Sequence, residues 1–101
     1  MKNYKSKDIV SLKASQYGVD NDADDYVRTC TVGSDGKAYK VPGDLMGTPK
    51  NAFEGVKTNT GWKQIEKTDF IVEHDNNISI IPEAVFKLLF TESWKRLDNN
   101  A

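Results

Sequence analysis

Nucleophilic and proton-transfer chemistry draws on few side-chain types, and this chain of 101 residues carries one cysteine, Cys30, and one histidine, His74. A cysteine nucleophile needs a neighbouring base or cation to hold it as thiolate. Cys30 instead falls in the middle of Tyr26-Val27-Arg28-Thr29-Cys30-Thr31-Val32, a run of β-branched and aromatic types in which a thiol is a packing group. His74 stands where an apolar run gives way to the turn residues Asp75-Asn76-Asn77. One thiol excludes an intrachain disulfide, and one thiol with one imidazole excludes a zinc site built from Cys and His alone. The carboxylates sit in loops or along polar faces, so no pair is isolated in the apolar setting that acid/base hydrolysis uses. Gly33-x-x-Gly36 leads into another strand and not a helix, which makes it a hairpin turn and no phosphate cradle. These observations point away from an enzyme, assign no catalytic residue and no cofactor, and leave binding as the expected activity.

Two constellations could bind. The first is acidic: Asp20-x-Asp22-x-Asp24 has the opening ligand spacing of an EF-hand calcium loop. The next position, glycine in such a loop, is Asp25, and the twelfth, glutamate there, is Thr31, with strands in place of helices on either side. No metal site is assigned. Asp20, Asp22, Asp24 and Asp25 read as a negative contact surface able to imitate a phosphate backbone towards a basic host protein, the leading partner. The second is basic and aromatic: Lys50, Asn51 and Phe53 in an irregular connection, joined by Arg28, Lys40 and Trp62, could hold the phosphates and base of a nucleotide-like small molecule between subunits. Single-stranded nucleic acid is a further alternative, because lysines interleave with Tyr4, Tyr17, Tyr39 and Trp62. It ranks lower, since the negative stretches repel the same backbone and net charge is −1. A virion component is disfavoured by the absence of heptads or repeats.

The charge is segregated. Residues 1–19 set four lysines against Asp8, 20–36 set five aspartates against Arg28, 37–67 set six lysines against three acids, and 68–101 set six acids against three bases. Hydrophobic residues form 38% of the chain and charged residues 29%, enough for one modest core, so a single domain over residues 1–101 is expected. A core of that size is marginal, and a homodimer or larger assembly would supplement it. The opening Met-Lys-Asn-Tyr-Lys-Ser-Lys-Asp has no apolar run behind its lysines to act as a secretory signal, and no stretch is long and apolar enough to span a membrane. A reducing, cytoplasmic setting is the expectation.

The elements that must position these groups follow from periodicity. Residues 1–7 read as a loose arm, Asp8–Ala14 as a first strand, and Ser15–Asp25 as an exposed loop. Tyr26–Val41 forms a hairpin about Gly36. Pro42, Gly43, Gly47 and Pro49 rule out regular structure next, with Leu45, Met46 and Phe53 turned inward and one helical turn over residues 51–56 ended by Gly55. Trp62 and Ile65 lie on a short strand and cap the core. Phe70–His74 and Ile78–Ile81 make a second hairpin, and Pro82 opens a helix whose apolar stripe, Val85, Phe86, Leu88, Leu89, Phe90, Trp94 and Leu97, supplies the main core face. Residues 98–101 fray. The fold class is α+β: a small antiparallel sheet of two hairpins and an N-terminal strand, packed by one C-terminal helix.

The stretch from Trp62 to Phe90, with Phe70-Ile71-Val72, a turn, Ile80-Ile81-Pro82 and Phe86, resembles the terminal units of small accessory proteins of bacteriophages and mobile elements. The resemblance covers under a third of the chain. It implies an anti-defence or host-takeover role exercised by stoichiometric inhibition of a host protein, and it carries over no functional residue.

Overall fold

The structure is a computed structural model that describes residues 1–6, 11–42, 47, 49 and 51–92. Its strands are β1 (Lys2–Ser6), β2 (Ser11–Gln16), β3 (Val27–Val32), β4 (Ala38–Lys40), β5 (Phe53–Thr58), β6 (Gly61–Gln64), β7 (Phe70–His74), β8 (Asn77–Ile81) and β9 (Phe90–Glu92). A 3-10 helix spans Asn21–Tyr26 and an α-helix, α1, spans Glu83–Leu89. The strands form two antiparallel sheets in place of the one expected. Sheet A runs β8-β7-β2-β1-β9 and sheet B runs β4-β3-β5-β6. The α+β class and the short C-terminal helix stand.

Sheet A is covered on both faces. In antiparallel strands, directly opposed residues point the same way and successive residues alternate. Tyr4, Leu12, Ala14, Phe70 and Val72 therefore share one face, and there they pack with Phe86 of α1. Phe86 stacks on Phe70 at 3.9 Å between centroids and meets Tyr4 edge-on at 4.8 Å. On the opposite face Ile71 joins Tyr17, Ala23, Val56 and Ile65, so β5 of sheet B and the 3-10 helix close that side. The run Phe70-Ile71-Val72 is buried throughout because β7 has a layer on each side of it.

Several expected elements need correction. The loose arm is β1, paired with β2 on one edge and β9 on the other, and its Tyr4 is buried. With only one apolar side chain in five residues, its amphipathic signal is faint. The first strand runs Ser11–Gln16, and residues 8–10 of the expected span lie outside the described residues. The acidic stretch is not a free loop: its 3-10 turn drives Ala23 fully into the core while the aspartates stay at the rim. The helical turn over 51–56 is strand β5, with Gly55 in its middle. Phe53 and Trp62 belong to neither core cluster, whereas Ile65 is buried as expected.

The second hairpin is as expected, and Asp75 and Asn76 take φ of 51° and 64°, the left-handed pair that a two-residue turn needs. The helix is shorter than the apolar stripe suggests. Pro82 stands just before it, and Phe90 is already extended, so that Phe90–Glu92 can pair with the otherwise bare edge of β1. Within α1 only Phe86 is buried; Leu88 is 75% exposed and Leu89 50%. The helix thus inserts one ring and not a stripe. Leu97, Trp94 and the frayed end lie outside the described residues, as do Leu45 and Met46.

Because that one ring fills the helix-side core, Phe86→Ala is expected to lower stability by about 3–5 kcal/mol, the range for emptying a buried aromatic site. Leu88→Ala is expected to change it by less than about 0.5 kcal/mol. Urea unfolding of the two variants measures both.

Candidate functional site

Sheet B has an inner and an outer face, and its register sorts them. Val56, opposite Val27 and Lys63, points into the core against sheet A. The alternate positions point outward. Cys30 stands opposite Lys40 and Phe53, Arg28 opposite Gly55, Gly55 opposite Gln64, and Lys57 opposite Trp62. Arg28, Lys40, Phe53 and Trp62, four of the six residues expected to hold a nucleotide-like ligand, are therefore on one face of one sheet. Asn51 is exposed in the turn ahead of β5, and Lys50 lies outside the described residues. Lys57 and Gln64 are members of the face that sequence reading missed. The alternation of Phe53, Gly55 and Lys57 could have found them had Gly55 not been taken as a helix stop.

No carboxylate stands at the outward positions of β3, β4, β5 or β6. Arg28, Lys40, Lys57 and Gln64 are exposed, while Phe53 and Trp62 are half-buried. The Arg28 guanidinium bends back to the carbonyls of Val27, at 2.8 Å, and Asp24, at 3.4 Å, and meets no carboxylate there, so its charge is not neutralised by those contacts.

Beneath this surface Cys30 is fully buried. Burial pushes its thiol pKa up, the reverse of what a nucleophile requires. His74 is in sheet A, on the turn between β7 and β8, with Nδ1 3.6 Å from the exposed Asp75 carboxylate. The structure does not bring the two together. Gly55 explains how Cys30 fits: a Cβ at Gly55 would stand 2.8 Å from the Cys30 sulfur and 3.1 Å from the Lys63 carbonyl oxygen, with the Phe53 ring at 3.3 Å. The glycine makes room for a sulfur and a ring on adjacent strands.

The acidic set divides in two. Asp20 accepts the backbone N–H of Gln16 at 2.9 Å and pairs with Lys2 at 3.4 Å. Asp22 accepts from the Ser15 hydroxyl and from the Met1 ammonium, and these contacts hold its carboxyl below the usual range. Asp24 and Asp25 are exposed. The calcium-loop spacing does not close into a cage, for among the described residues no three acidic, Cys or His side chains converge on a point able to hold a metal. Of the aromatic and basic residues considered for nucleic acid, Tyr4 and Tyr17 are buried. Tyr39 is on the inward-pointing set of sheet B beyond the cover of sheet A, its hydroxyl hydrogen-bonded to Asp35.

Among the described residues no helix is long and apolar enough to cross a membrane. Compared with protein-family models, with curated proteins and with solved structures, the chain finds no match. The site has to be argued from its own geometry.

The packing under the face is directly testable. Gly55→Ala is expected to cost about 1–3 kcal/mol through overpacking, and combining it with Cys30→Ala is expected to cost less than the sum of the two single variants, because the sulfur that the new methyl meets is gone. Urea unfolding of the double-mutant cycle measures the coupling.

Proposed function

We propose that this chain is a non-enzymatic binding protein whose working surface is the outer face of sheet B, and that its ligand is anionic and carries flat rings, the chemistry of phosphate joined to base. The observation that carries the reading is the composition of that face: beside Cys30, Val32, Ala38 and Gly55, its outward positions hold three cations, two half-buried aromatic residues and an amide, without one carboxylate. Cations supply attraction for phosphate, and an aromatic ring on a flat sheet supplies a stacking surface. The resemblance of Trp62–Phe90 to phage accessory proteins adds a setting, the host cytoplasm, where removing a nucleotide-like signal or occupying a nucleic acid would serve such a role. Titration with ATP and with an oligothymidylate, read by quenching of Trp62 in a Trp94→Phe background, tests the reading. Salt-sensitive quenching that weakens about tenfold when Arg28 and Lys57 are both changed to Gln is expected. Failure of every phosphate-bearing base to quench at low salt would sink it.

A second reading is favoured by one observation, the exposure of Asp24 and Asp25 beside two aspartates held internally. In it the chain inhibits a host protein stoichiometrically through that acidic rim. A partner purified with the wild-type chain should then be released by Asp24→Asn with Asp25→Asn, at unchanged melting temperature. Retention of the partner by this double variant excludes the rim as the contact.

A further inference from the structure

The outer face of sheet B is ordered as well as charged. Take the four strands side by side, about 4.8 Å apart, with alternate residues along each strand about 6.7 Å apart. Lys40 on β4 is level with Cys30, Arg28 on β3 is two residues further along, and Lys57 on β5 is two residues further again, since Gly55 is level with Arg28. Each step moves one strand across and two residues along, so the three backbone positions form a diagonal row at intervals of about 8 Å. Beside that row runs a second. Phe53 is level with Lys40, Gln64 with Arg28, and Trp62 with Lys57, all on the β5–β6 side. The cations thus cross the face from β4 to β5, and a ring, an amide and a ring flank them in the same order, two strands away at Phe53 and Gln64 and one strand away at Trp62.

Resting on the assignment of this face as the binding surface, we infer that its ligand is a single-stranded nucleic acid, laid diagonally across sheet B with successive phosphates along Lys40, Arg28 and Lys57 and bases turned towards Phe53, Gln64 and Trp62. A polymer with a repeated charge on one side and flat bases on the other matches a diagonal of three cations flanked on the β5–β6 side by Phe53, Gln64 and Trp62, whereas a mononucleotide can engage only one end of it. A duplex presents its phosphates but keeps its bases stacked away from rings on a sheet, and among the described residues this face offers no helix or protruding ribbon to enter a groove. Glycine at position 55, between Phe53 and Lys57, leaves its side-chain space to the Cys30 sulfur and the Phe53 ring. The recognition is indifferent to sequence: stacking and charge carry it, with Gln64 as the one outward amide.

Fluorescence anisotropy with four probes tests the inference: an oligothymidylate of about twelve residues, the matching duplex, thymidine monophosphate as competitor, and ATP as competitor. The single strand is expected to bind with a log–log salt slope of about −2, the value for three phosphates on a single strand, and each of Lys40→Gln, Arg28→Gln and Lys57→Gln is expected to flatten it by about 0.7. Trp62→Ala is expected to weaken binding about tenfold and Trp62→Tyr to restore most of it. The three cation variants change exposed side chains, so they carry the test even where Trp62→Ala unfolds, and melting curves check folding in each. A monophosphate or ATP that competes as tightly as the oligomer, a duplex that binds equally well, or a salt slope unmoved by all three substitutions overturns the single-strand inference while leaving an anionic ligand in place. No binding by any probe overturns that broader reading too.

Discussion

The structure depends on β7 being buried from both sides. Phe70 and Val72 face α1 while Ile71 faces sheet B, so three consecutive apolar side chains leave water only if two separate layers cover one strand. Removing three such side chains from water is worth several kcal/mol, at roughly 1.5–3 kcal/mol each. Neither layer is large. One is a helix of seven residues that contributes a single ring, and the other is a four-stranded sheet that reaches the core chiefly through Val56. The inner side of sheet B is committed to covering Ile71, so the proposed binding face is the reverse of a packing surface: its cations are exposed, while Cys30 is fully buried and Phe53 and Trp62 are half-buried there.

This division of labour explains which parts of the fold could be read from the residues. Both hairpins were legible, since Gly36 and the pair Asp75-Asn76 supply the backbone conformations that tight turns demand between β-rich runs. The strands that escaped notice carry one core residue each: Tyr4 in β1 and Val56 in β5. Period-two alternation needs two or three apolar positions to stand out from noise, and a strand that buries one ring among four polar neighbours offers none. The helix erred in the opposite direction. Val85, Leu88 and Leu89 make a convincing stripe, yet they are exposed, because the demand of the β1 edge for a hydrogen-bonding partner turns the chain into strand at Phe90.

The proposed binding face was half legible for a related reason. Arg28, Lys40, Phe53 and Trp62 could be grouped by chemical type, but their common orientation depends on register between strands that are far apart in the chain. Lys57 and Gln64 became visible only with that register. The aspartates show the converse: four similar residues in a row look equivalent, and the structure separates Asp20 and Asp22, which tie the 3-10 helix to Gln16, Ser15 and the first two residues, from Asp24 and Asp25, which touch water.

One aspect of the topology bears on how the molecule comes into being. β1 lies between β2 and β9, so the earliest strand obtains its second neighbour from residues 90–92, and the Phe86 ring that covers Tyr4 arrives only just before them. During synthesis, residues up to 92 must leave the ribosome before β1 is paired along both edges and roofed. Long-range closure of this kind slows folding. A truncated nascent chain would present a bare strand edge and an uncovered tyrosine, the features that chaperones and aggregation both exploit.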